Sequence, residues 1–157
     1  MKKSGNATAY QGVTKVFKPY ILGELKMTHK NLLIIASMIS IFAFVFHLAD
    51  DIVVGIEAGD TGDMMGGTAI TLVWLCGTLL LSGRLPGYLI TLVGGVLATG
   101  VPYLHMSGKG VGGEFAKADG AYFFIATLLV MALTGSFSVI LSVMEIWNLY
   151  RGSRVKG

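Results

Sequence analysis

The sequence predicts an all-α integral membrane protein: an antiparallel bundle of four transmembrane helices with both termini in the cytoplasm. Three observations predict it. Four runs, 32–49, 64–83, 88–106 and 121–144, contain no Lys, Arg, Asp or Glu. Basic residues crowd into alternate connections between the runs and acidic residues into the others. Hydrophobic residues make up 54% of a 157-residue chain whose mean hydropathy is +0.70, so one membrane domain is expected, with little chain left for a soluble one.

The leader, residues 1–31, is polybasic. Val13, Val16, Phe17, Tyr20 and Ile21 recur at helical spacing among Lys15, Lys18 and Lys26, the pattern of a short interfacial helix broken at Pro19. A solvated basic leader without structure explains the same residues. The first run is expected to be retained as a span, because a lysine-rich segment precedes it and no small-residue cleavage site follows.

Every run is long enough to cross about 30 Å of hydrocarbon, which takes about 20 residues of a helix that satisfies its own backbone. The second run opens on Met64-Met65-Gly66-Gly67, so its helix is expected to start near Thr68 and to be short. Residues 32–144 form the single membrane domain, and 145–157 a basic cytoplasmic tail.

Orientation follows from the bases. Segments 1–31, 82–87 and 145–157 hold Lys2, Lys3, Lys15, Lys18, Lys26, Lys30, Arg84, Arg151, Arg154 and Lys156, against Glu24 and Glu145. The other two connections hold only Lys109 and Lys117, against seven acids. Lys and Arg stay on the cytoplasmic side, which places both termini there and points to a multi-pass protein of a prokaryotic cytoplasmic membrane. The bases lie at membrane edges without interleaved exposed aromatics, so anionic lipid headgroups are the expected partner and nucleic acid is not.

Small and hydroxylated residues form one stripe per helix. The stripes are Ser37, Ser40 and His47; Thr68, Thr71, Thr78 and Ser82; Thr91, Gly95, Ala98, Pro102 and His105; and Thr127, Thr134, Ser138 and Glu145. Turned inward, these stripes let backbones approach closely and leave Leu, Ile, Val and Phe to lipid. Hydroxyls in membrane helices commonly bond their own i−4 carbonyl, so they do not by themselves mark a transport path. Cys76 stands alone mid-helix, which excludes an internal disulfide.

Reactive side chains cluster at one place. His47 lies 17 residues beyond Lys30 and His105 lies 18 beyond Gly87, so both rise about 26 Å from the inner edge and reach one depth near the outer surface. Asp50 and Asp51 follow His47 by three and four residues, beside the imidazole if the helix continues. Two imidazoles and two carboxylates suit a divalent metal such as Zn²⁺, with Glu57, Asp60, Asp63 and Glu114 of the outer connections as further contributors. Paired histidines on facing helices are also the ligand set of a haem b, against which the neighbouring acids count. Equally, both imidazoles can be interfacial, with the aspartates marking the exit to water. At the inner end, Glu145 is expected to pair with Arg84 or Arg151.

No HExxH, Cys/His zinc spacing or paired Glu-x-x-His occurs. The sequence therefore favours a non-catalytic subunit or assembly partner of a larger membrane complex or homo-oligomer. The second reading is a ligand- or metal-binding membrane protein, a haem carrier or metal-dependent hydrolase among them, built on His47, Asp50, Asp51 and His105.

Overall fold

The computed structural model describes residues 27–54, 60–107 and 122–154, and the regular structure among them is helical throughout. The 1–26 segment, with its interfacial-helix expectation, lies outside the described residues.

Helix α1, His29–Val54, begins where Thr28 caps it: the Thr28 hydroxyl accepts the Asn31 N–H at 3.2 Å. Helix α2 spans Thr61–Leu75 and widens into a π-helical turn, Cys76–Leu80, in which the Leu81 N–H reaches back five residues to the Cys76 carbonyl. A tight turn follows, made possible by Gly83 at φ 84°, a left-handed value that costs glycine little. Helix α3, Leu85–Met106, starts with Pro86 in its first turn, where the missing N–H goes unneeded, and contains Pro102. Helix α4 is the longest, Tyr122–Arg154.

Three helices are long and apolar enough to cross a membrane, and α2 supplies a shorter apolar helix, Met64–Leu80, which makes this a membrane protein by composition and length. Two expected boundaries differ. Helix α2 starts at Thr61 rather than near Thr68, because Gly66 and Gly67 are accommodated within it and Leu48 packs where a Gly67 side chain would stand. Helix α4 runs past Met144 to Arg154, about 50 Å at 1.5 Å per residue, so it outlasts the hydrocarbon. Its last turns carry Trp147 and Tyr150, with the Arg151 guanidinium 5.7 Å from the Trp147 ring, chemistry suited to headgroups.

Helix α4 packs along both α1 and α3, while α2 lies against α1 and α3 and leaves most of its surface exposed. Where α3 meets α4, a Cβ on Gly135 would stand 2.8 Å from the Ala98 Cβ and 2.9 Å from the Gly95 carbonyl oxygen, so only hydrogen fits. Such close approach matters in lipid, where dispersion and hydrogen bonds rather than the hydrophobic effect hold helices together.

Hydroxyls turn inward as expected on α1, where Ser37 and Ser40 are fully buried while Ile35, Ile39, Phe42 and Phe46 are exposed. On α2 the expected stripe is rotated: Thr68 is exposed, and the buried line is Gly67, Trp74, Gly77 and Thr78. Trp74 sets that rotation. It is the bulkiest side chain of α2, and its indole Nε1 donates to Ser37 Oγ at 2.9 Å, a bond that would otherwise be lost to lipid.

Layers follow along the bundle axis. Ser37 meets Thr78 at 2.7 Å and Ser40 meets Thr134 at 2.7 Å. Above them, Ile41, Ala43, Trp74, Ala98 and Met131 form an apolar cluster, and Phe124 and Leu128 form a second one with Val101 against it.

Candidate metal centre

Helix geometry decides which side chains converge. At 100° per residue, Ser37, Ser40, His47 and Asp51 fall within about 80° of arc on α1, whereas Asp50 lies about 60° outside it. Once Ser37 and Ser40 are turned into the core, His47 and Asp51 must follow. His105 arrives from the end of α3, and Phe124 from the start of α4.

The groups meet closely. His47 Nε2 lies 3.4 Å from His105 Nε2 and 3.5 Å from Asp51 Oδ2. The imidazoles meet edge to face, with ring centroids 4.9 Å apart and planes at 85°, and the Phe124 ring packs on both. All four residues are buried: 2% exposed for His47, 5% for Asp51, 9% for His105 and 1% for Phe124.

Two imidazole nitrogens and a carboxylate oxygen directed at one another are three electron-pair donors. They repel unless something positive lies between them, either a proton or a cation. The dimensions suit a metal ion. Bonds of about 2.0–2.1 Å at a tetrahedral angle separate two ligand nitrogens by about 3.3 Å, close to the 3.4 Å and 3.5 Å here. The three ligand atoms all lie within 4.8 Å of one another, so the remaining edge closes with a modest side-chain rotation. His47 Nδ1 is buried without a hydrogen-bond partner among the described residues, so no second bond fixes its tautomer.

A haem does not fit this arrangement. Its axial nitrogens would stand about 4 Å apart on opposite faces of a macrocycle, at about 2 Å per bond. Here the two rings touch each other directly and Phe124 closes the side, so no slot separates them.

The structure distributes the other candidates as follows. Asp50 is half-buried and outside the group, for the angular reason given above. Asp60 is exposed at the start of α2. Glu57, Glu114 and the Asp63 side chain lie outside the described residues.

At the opposite end, Glu145 does not take Arg84 as its partner. The Tyr88 hydroxyl donates to Glu145 Oε2 at 3.2 Å, and His29 Nδ1 lies 3.9 Å from Oε1. Tyr88 sits one turn inside α3 and reaches across the helix interface, whereas Arg84, in the turn, keeps its charge exposed to solvent. Sequence reasoning overlooked Tyr88, His29 and Phe124. None belongs to a motif, and only the neighbouring helix reveals their roles.

No protein-family model, curated protein or solved structure matches this chain.

Proposed function

We propose that this small multi-pass membrane protein binds a divalent transition-metal ion through His47, Asp51 and His105. One observation carries the reading: three buried donor atoms from two helices converge at metal-ligand spacing. Two imidazoles and one carboxylate favour Zn²⁺, Co²⁺, Ni²⁺, Cu²⁺ or Fe²⁺ over Mg²⁺ and Ca²⁺, which prefer all-oxygen ligands. Three protein ligands leave a fourth position for water or an exogenous ligand, the arrangement of exchangeable and catalytic sites rather than closed structural ones. By the distribution of bases, the His47 end faces away from the cytoplasm and the Glu145 end faces into it.

The test is a titration of chelator-stripped protein in mild detergent with Co²⁺, whose tetrahedral complexes absorb in the visible, followed by displacement with Zn²⁺. Near-stoichiometric binding by the wild type, lost in His47→Ala and His105→Ala, is the expected result. Absent binding, or binding that both variants retain, would overturn the reading.

A subunit or assembly role rests on a different observation. Apart from Gly67, Trp74, Gly77 and Thr78, most of α2 is exposed, with Met64, Met65, Ile70, Leu72 and Val73 outward. A helix so lightly held within its own chain is a natural surface for a second copy or a larger complex. Native mass spectrometry from lipid nanodiscs reads the oligomeric state directly, and a monomer that stays stable through purification would count against this role.

A further inference from the structure

We infer that the His47–Asp51–His105 site exchanges its cation with one face of the membrane only, the face at the His47 end, and that the protein does not carry the ion across. This rests on the metal-binding reading above.

The layers beneath the site carry the inference. Moving from the site toward the Glu145 end, the buried side chains between the helices are mainly apolar. Helix α1 presents Ala43 and Ile41, α3 presents Val101 and Ala98, α4 presents Leu128 and Met131, and Trp74 of α2 completes the layer. Ile41 is six residues from His47, Ala98 seven from His105 and Met131 seven from Phe124, so all three helices place the same layer about 9–11 Å from the site. Ala98 and Met131 are fully buried, and Trp74 and Ile41 nearly so. An ion leaving the imidazoles in that direction would lose its ligands and meet mainly hydrocarbon, an aromatic face, the Met131 thioether and a Thr127 hydroxyl already donated to the Phe124 carbonyl, an environment that strongly disfavours charge.

The polar side chains beyond the layer do not bridge it. Ser37 is engaged with Thr78 and the Trp74 indole, and Ser40 with Thr134 and the Ala36 carbonyl. These hydroxyls bind helix to helix, Ser40 level with Ile41 at the inner edge of the apolar layer and Ser37 about one turn deeper. A relay through the bundle would need a polar group free to take the ion at that depth, and the ones there are engaged: the Thr127 hydroxyl with the Phe124 carbonyl, Thr99 with the Gly95 carbonyl and Ser136, Ser40 with the Ala36 carbonyl and Thr134, and the indole N–H with Ser37. The other direction differs: Asp51 and His105 stand in the last turns of α1 and α3, where the apolar stretch of each helix ends.

The experiment uses the full chain, first loaded with Zn²⁺ in detergent and then reconstituted into vesicles that enclose a zinc-responsive dye. Trypsin added outside cleaves the tail at Arg151, Arg154 and Lys156 only in chains whose Glu145 end faces out, which measures the fraction in each orientation. Membrane-impermeant EDTA is then added outside. The expected result is loss of zinc equal to the fraction of chains whose tail trypsin leaves intact and, in a separate sample without EDTA, no further rise in luminal dye when Zn²⁺ is supplied outside. Zinc stripped from chains cleaved in the tail, or a luminal rise on outside Zn²⁺ that His105→Ala abolishes, would overturn one-sided exchange while leaving metal binding intact. If the detergent-solubilised wild type holds no zinc at all, the site itself fails at the loading step, before any vesicle is made.

Discussion

Replacing His105 with alanine tests the site most directly. The imidazole is one of the three proposed ligands, and its Nε2 lies 3.4 Å from that of His47, about the edge of a tetrahedral zinc site. Closed four-ligand zinc sites bind with about 10–16 kcal/mol at neutral pH, or about 2.5–4 kcal/mol per ligand. A three-ligand site should therefore hold zinc with about 8–12 kcal/mol, a Kd between roughly 1 μM and 1 nM. Removing one imidazole should weaken binding by about 100- to 1,000-fold. Asp51→Asn retains an oxygen donor but loses the charge, and its loss should be the smaller of the two. Competition against a chromophoric zinc chelator measures both, with far-ultraviolet circular dichroism to show that the helices persist. The reasoning would be refuted if folded His105→Ala bound zinc within about threefold of the wild type, because neither the convergence nor the spacing would then have mattered.

Acid should release the metal, because protons and the metal compete for the same imidazole and carboxylate atoms. Metal held at undiminished affinity down to about pH 3 would exclude these side chains as ligands. Ser37→Ala removes the acceptor of the Trp74 indole and the partner of Thr78, and should cost about 1–2 kcal/mol in a denaturing-detergent unfolding titration. Combined with Trp74→Phe it should cost less than the sum, because both remove one shared bond; strict additivity would argue against that bond. Gly135→Val should separate α3 from α4 and destabilise the protein by more than 2 kcal/mol, about the scale of core overpacking, whereas Gly100→Ala, which meets nothing within 4 Å, should leave stability unchanged or slightly raised. Equal effects of the two substitutions would mean that the close crossing is not what holds these helices.

Much of the helical layout was legible because desolvation acts locally. A backbone in hydrocarbon must bond to itself, so the apolar runs and the helices nearly coincide. Where α4 ends was not legible, since a helix can leave the membrane without changing its backbone, and the charged residues after Met144 mark only the passage into water. The rotation of α2 was not legible either. Its hydroxyl stripe and its Trp74 face compete, and the outcome depends on Ser37 of another helix offering an acceptor. In the site, the interval from His47 to Asp51 and the equal rise of His47 and His105 are sequence properties, and the structure has these three side chains in contact. Choosing between Asp50 and Asp51 needed the rotation of α1. Tyr88 as the partner of Glu145, and Phe124 against both imidazoles, needed the neighbouring helices themselves.

The hydroxyl layer and the candidate site are linked through α1. Ser40 bonds Thr134 of α4 on one side, and Ser37 bonds Thr78 and Trp74 of the α2 segment on the other, so α1 is held from two directions about 10–15 Å below His47. A helix held in this way cannot easily roll. A roll of about 60° would bring Asp50 to the angular position of His47 and carry the imidazole away from His105. Apolar packing alone tolerates such rolls in lipid, because Leu, Ile and Phe are equally at home on either face. Directional hydrogen bonds do not tolerate them. The buried serines therefore do more than join helices: they fix which face of α1 His47 and Asp51 present to His105, and the geometry of the candidate ligands depends on polar contacts two to three turns away.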